Sequence, residues 1–95
     1  VVRTVTLNET SNIKLYPNPT VNNVKLFVSS VSQTDIKISV CDITGKLIYT
    51  NNVYTQIGGN EFDIDLKHFS DGIYFVTVTQ TNRVDVLHII KQQTE

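Results

Sequence analysis

An all-β sandwich of about seven short strands is expected of this chain, on three grounds. Of its 95 residues, 13 are Val, 10 Ile and 12 Thr, while alanine is absent. β-Branched side chains lose rotamer freedom in a helix and fit a pleated surface, so this balance opposes a helical bundle. Apolar residues recur at every second position through most of the sequence, the period of a half-buried strand. Clusters of Gly, Pro, Asn and Asp separate these runs at intervals of roughly ten residues or a little more, as a β-sandwich requires. A closed barrel meets the same pattern, and the pairing order is left open. At this length roughly two-thirds of the unfolded surface can be buried, enough for one core and too little for a multi-domain enzyme.

Residues 1–7 suit one more strand or the tail of a preceding region, and the polar stretch 8–12 reads as linker. Residues 1–12 are therefore set apart from a domain expected at 13–91, with 92–95 as a tail. The short run 13–16 is the first strand. Pro17-Asn18-Pro19 ends it, because neither proline can donate to a ladder and each pushes the residue before it out of the helical region. Val24, Leu26 and Val28 then alternate with Lys25 and Phe27, and Ile36, Ile38 and Val40 with Lys37 and Ser39. Asp42-Ile43-Thr44-Gly45 reads as a tight hairpin in which Asp42 accepts backbone N–H groups and Gly45 takes the left-handed conformation. The run 46–50 follows, with Leu47 and Ile48 on opposite faces. Gly58-Gly59-Asn60 is expected to turn into a strand where Phe62, Ile64 and Leu66 alternate with Glu61, Asp63 and Asp65. Ser70-Asp71-Gly72 repeats that logic ahead of Tyr74, Val76 and Val78. The last run, 84–91, is apolar on both faces, with Val86 and Ile90 on one and Leu87 and Ile89 on the other.

Charge and motifs exclude most chemistries. Eight basic against nine acidic residues give a net charge of −1, which favours neither nucleic acid nor an anionic membrane. There is no apolar run long enough to span a bilayer, and a lone Cys41 makes no intrachain disulfide or thiolate zinc site. Cys41 is expected to be a sheltered free thiol. Neither His68 nor His88 has a second metal ligand at a useful spacing, and no phosphate loop or catalytic triad can be assembled. Asp63, Asp65 and Asp71 could form a calcium site, although a solvated face is the ordinary reading of such a row. No cofactor is implied. Asn8-Glu9-Thr10 is a formal glycosylation sequon. Tyr49 and Tyr54 are the aromatics best placed to stack on a sugar ring, as in a carbohydrate-binding or adhesion module. With no Met and no targeting segment, the chain is expected to be a module of a longer polypeptide.

Taken in order, the motifs resemble the type A C-terminal sorting domain of proteins exported by the type IX (Por) secretion system of Bacteroidetes. Leu15-Tyr16-Pro17-Asn18-Pro19 matches the opening YPNP signature. Val40-Cys41-Asp42-Ile43-Thr44-Gly45-Lys46 matches the V-x-D-x-x-G-K hairpin, and Gly59-Asn60 opens the next strand. Asp71-Gly72-Ile73-Tyr74 matches the G-[IVM]-Y strand, and residues 86–91 the terminal apolar strand ending in lysine. Two departures stand out. The first lysine of the usual Lys-apolar-apolar-Lys ending is His88, which carries less charge at neutral pH, and four residues follow Lys91.

The resemblance implies an immunoglobulin-like antiparallel sandwich of seven strands with no enzymatic activity. It implies an address that directs its parent protein from the periplasm through the type IX translocon to the outer-membrane surface or the medium. The implied partners are the outer-membrane translocon or shuttle, a sortase that cuts at about residues 10–14 or before, and a cargo N-terminal to the domain. A terminal strand is a natural handle for strand addition. Leu87, Ile89 and Lys91 are accordingly expected to meet the translocon, with Gly72, Ile73 and Tyr74 shaping that surface. Burial of both faces of the last strand within the domain is the alternative. Pro17, Asn18, Pro19, Asp42, Gly45 and Lys46 are expected to determine the fold first, since a side chain at a left-handed Gly45 would cost roughly 1–2 kcal/mol.

Overall fold

The computed structural model describes residues 13–81 and 83–92. Seven strands follow one another: β1 (Ile13–Tyr16), β2 (Asn23–Ser30), β3 (Thr34–Cys41), β4 (Leu47–Thr55), β5 (Gly58–Asp65), β6 (Gly72–Gln80) and β7 (Arg83–Lys91). One sheet has the order β1-β2-β5 and the other β4-β3-β6-β7, with every neighbouring pair antiparallel. This is an immunoglobulin-like arrangement in which the fourth strand joins the sheet of the third, sixth and seventh. The expected number of strands and the sandwich class are thus both observed.

Alternation decides which side chains fill the space between the sheets. Val24, Leu26 and Val28 from β2 and Ile64 from β5 face Ile36, Ile38 and Val40 from β3, Tyr74, Val76 and Val78 from β6, and Ile89 from β7. Burying each large aliphatic side chain contributes about 1.5–3 kcal/mol, so this cluster supplies the main stabilisation. Truncating the fully buried Leu26 to alanine should cost about 2–5 kcal/mol.

Two elements differ from their sequence reading. β4 runs to Thr55, well beyond residue 50, because it is an edge strand whose Thr50, Asn51 and Asn52 stay in solvent and carry no hydrophobic period. At the register shift between Val40 and Cys41, Val40 pairs with Tyr49 and Cys41 with Leu47, so Ile48 is the extra residue and both Ile48 and Tyr49 pack against the core. Gly58, Gly59 and Asn60 belong to β5, and the chain switches sheets at Gln56 and Ile57 instead. The Asn60 side chain ties that corner: its Nδ2 donates to the carbonyls of Val28, Gln56 and Gly58, and its Oδ1 accepts the Gln56 N–H. Gly59 admits the Phe27 ring, which a Cβ would meet at 3.0 Å.

At this corner Thr55, fully buried, has its hydroxyl among the Thr34 N–H and the carbonyls of Ser32 and Thr34. The other end of the sandwich gathers the hairpin after β3, the loop before β6, the end of β7 and residues 17–20.

Candidate recognition surface

The hairpin between β3 and β4 is built around one carboxylate. Asp42 Oδ1 accepts the Thr44 N–H at 2.9 Å, the Thr44 hydroxyl at 2.6 Å and the Lys46 N–H at 3.0 Å. The Asp42 N–H donates to the Lys46 carbonyl, and the Gly45 N–H to the Asp42 carbonyl, each at 3.0 Å. Gly45 sits at φ +92°, the conformation that lets the chain close this turn. The Thr44 hydroxyl first, then the Lys46 N–H, hold the Asp42 carboxyl below the usual carboxylate range.

The loop before β6 is closed by Tyr74. Its ring lies in the core and its hydroxyl donates to the Ser70 carbonyl, the tyrosine corner of immunoglobulin-like sandwiches. Burial, and then the nearby carboxylates of Asp42 and Asp71, push the phenol's pKa up. Between the hairpin and this corner lies a concavity of about 310 Å³ lined by Asp42, Lys46, Ile48, Phe69, Asp71 and Tyr74, among others.

The chain after β1 reaches the same end. Tyr16-Pro17 and Asn18-Pro19 are both cis peptides, and the segment crosses to the edge of β7. There Asn18 Nδ2 donates to the His88 carbonyl and Asn18 Oδ1 accepts the Ile90 N–H, each at 3.1 Å. Thr20 continues with its main chain, donating to the Ile90 carbonyl at 2.8 Å and accepting the Gln92 N–H at 2.9 Å. Lys91, only 4% exposed, places Nζ 3.3 Å from Asp71 Oδ1.

β7 turns one of its two apolar faces to the core and the other outward. Ile89 is fully buried, Leu87 packs against the core, and Lys91 is covered. Tyr74, paired with Ile89 across the strands, is buried as well. Of the expected contact residues only Gly72 and Ile73 lie at the surface. The outer face belongs to Val84 and Val86, 60% and 63% exposed, with His88 and the half-buried Ile90. Alternation in the sequence establishes that both faces are apolar; which one turns inward follows only from the register of β7 on β6.

Cross-strand pairing extends this outer face into a patch. Ile73 stands opposite Ile90, Phe75 opposite His88, and Thr77 opposite Val86. On the other side of β6, Phe75 neighbours the half-buried Cys41, which in turn faces Leu47. Ile73 and Phe75 are 40% and 37% exposed. Phase alone put Phe75 on this face; the pairing partners that make it part of a patch are not written in the sequence.

The remaining candidates do not converge. Asp63 pairs with Lys25 Nζ at 2.8 Å, Asp65 accepts the Lys67 N–H, and Asp71 lies beside Lys91. No group of three metal-ligating side chains occurs among the described residues. Tyr49 is half-buried against the core, and Tyr54 is exposed opposite Asp35 on β4. The sequon at residues 8–10 lies outside the described residues.

A sandwich whose first and last sequence motifs close around its last strand, beside an exposed apolar patch, has the build of a β-sandwich recognition module. The chain matches the secretion system C-terminal sorting domain over residues 14–92 and belongs to that family. It is a C-terminal sorting signal for type IX secretion, which implies interaction with the secretion machinery, a cargo N-terminal to it, and export across the outer membrane. The adhesion alternative finds no support. No curated protein matches the chain. No helix among the described residues is long and apolar enough to cross a membrane.

Proposed function

We propose that the domain acts as a non-catalytic address whose readable surface is the outer face of β6 and β7 at the motif end. The observation that carries this reading is the exposure of Ile73, Phe75 and Val86 on one sheet face, next to the strand end that Asn18, Thr20 and Lys91 hold in place. Apolar side chains gathered on a solvent face mark interaction sites more often than scattered ones do. Tyr74, Leu87, Ile89 and Lys91 serve this surface from behind, by fixing the two strands that carry it, and the exposed Gly72 opens β6 beside Ile73. The translocon or shuttle docks on this face during passage from the periplasm, and a sortase then releases the cargo by cutting upstream of β1.

A periplasmic reporter carrying this segment at its C-terminus tests the reading in a Bacteroidetes host. The fused reporter should reach the cell surface or the medium only when the type IX translocon is present. Ile73→Asp and Phe75→Asp, which alter exposed side chains and leave the core intact, should retain the reporter in the periplasm. Export of both variants at the unmodified level, with thermal midpoints unchanged, would remove this face as the recognition surface.

A further inference from the structure

Among the described residues the sandwich has four sheet edges, and they are unequally protected. β1 is four residues long and ends at Pro17; β5 presents Glu61, Asp63 and Asp65; β4 is offset by its register shift and carries Asn51 and Asn52. Shortness, charge and irregularity are the ordinary means by which an edge avoids pairing with another chain. β7 has nine residues in unbroken register with β6, and from Val84 to Ile90 its outer face carries only Val84, Val86, His88 and Ile90. The charged pair at its start, Arg83 and Asp85, joined at 2.8 Å, lies on the opposite face.

The backbone of this edge is divided in two. In an antiparallel pair, successive residues aim their N–H and C=O groups alternately at one neighbour and the other. Both groups of Ile90 are taken by Asn18 and Thr20, so Ile90 aims away from β6. Counting back by two, the backbone groups of His88, Val86 and Val84 aim the same way. The His88 carbonyl is taken by Asn18. The His88 N–H and both groups of Val86 and Val84 meet no partner among the described residues.

We infer that this open half, from Val84 to the His88 N–H, receives an extended segment of the secretion machinery as an added strand. Residues 18–20 mark where that strand must stop. The inference rests on the reading of β6 and β7 as the recognition surface and supplies its mode. An edge of unpaired backbone groups is specific for another extended backbone. The clasp shows that the edge accepts one, since the Thr20 bridge to Lys91 is already a short parallel pairing. The mostly apolar outer face selects the chemistry of the arriving strand. Its residues level with Val84 and Val86 are apolar, and they prolong the patch that runs through Phe75 and Ile73.

Hydrogen exchange on the full chain, alone and with the detergent-solubilised type IX translocon, tests the inference. In the free chain the amides of Val84, Val86 and His88 should exchange fast, while Ile90 and Gln92, held by the clasp, should be slow. In the complex the first three should slow by roughly tenfold or more. A complex that forms and leaves those three amides as fast as in the free chain overturns strand addition and leaves the recognition surface standing. Failure to form a complex, with the translocon active on other cargo, overturns the recognition surface and the inference together.

Discussion

Asn18 and Ile90 lie 72 positions apart in the chain, and the side chain of one satisfies the main chain of the other at 3.1 Å. The same carboxamide reaches the His88 carbonyl, so Asn18 offers β7 the donor and acceptor that a neighbouring strand would. The first and last motifs of the family thereby become one structural unit. Asn18→Ala should expose both β7 groups to water at a cost of about 0.5–1.5 kcal/mol in a denaturant midpoint, and should speed exchange of the Ile90 amide. Asn18→Asp keeps the acceptor and loses the donor, and should fall between. An Ile90 amide as slow in Asn18→Ala as in the unmodified chain would show that Thr20 alone holds this end.

Asp42 makes the β3–β4 hairpin sensitive to acid. Its carboxyl has an ordinary value of 3.8 and lies lower in the fold, chiefly through the Thr44 hydroxyl. The folded chain therefore binds fewer protons than the unfolded one between the two values. The contribution of Asp42 is fully present above the unfolded value and is lost as pH falls through the depressed folded value. A carboxyl titration followed by NMR should show Asp42 below 3.8, and Thr44→Val should move it back upward. An unmoved titration in Thr44→Val would refute the assignment of the shift to that hydroxyl.

Tyr74 works in the opposite direction at alkaline pH. Burial raises its pKa above 10.0, so the fold favours the neutral phenol. The stability this gives is present below the unfolded value and is lost as pH rises through the folded one. Tyr74→Phe keeps the ring in the core and deletes the bond to the Ser70 carbonyl, at a cost of about 0.5–1.5 kcal/mol near neutrality. It should also remove part of the alkaline loss of stability. Tyr16, whose phenol is raised mainly by its bond to the Glu61 carboxylate, contributes a separate part that Tyr16→Phe isolates. A stability difference between Tyr74→Phe and the unmodified chain that stays constant up to strongly alkaline pH would count against the shift.

Much of this arrangement is legible in the sequence because it is local. Period-2 alternation identifies Ile36, Ile38 and Val40 as core, and the Asp42 to Gly45 turn as a hairpin, without knowledge of any partner strand. What escapes is set by neighbours. β4 has too few buried positions to show a period, since an edge strand is covered on one flank only. Gly58 and Gly59 look like a turn, but Asn60 ties the corner through carbonyls on both sides of it, and that needs the fold. The inward face of β7 is set by Ile89 lying opposite Tyr74, a register that no single strand encodes. Four of the motifs that carry the family resemblance contain a side chain that knots the backbone: Asn18, Asp42, Asn60 and Tyr74.

Lys91 and Asp71 should respond unequally to substitution because they are unequally buried. The lysine side chain is 4% exposed, whereas Asp71 keeps half of its surface in water. Removing the carboxylate leaves a covered ammonium without the partner 3.3 Å away; removing the ammonium leaves a carboxylate that solvent can still hydrate. Lys91→Met keeps most of the packed stem and should change stability by less than about 1 kcal/mol. Asp71→Ala should cost more, about 1–3 kcal/mol, and Asp71→Asn should recover part of that loss by restoring a polar contact. The same geometry bears on recognition. A covered ammonium is poorly placed to be read as a charge, so a reporter fused to the Lys91→Met segment should still be exported. Export lost in Lys91→Met at unchanged stability would show that the secretion machinery reads this lysine directly, after the end of β7 has opened.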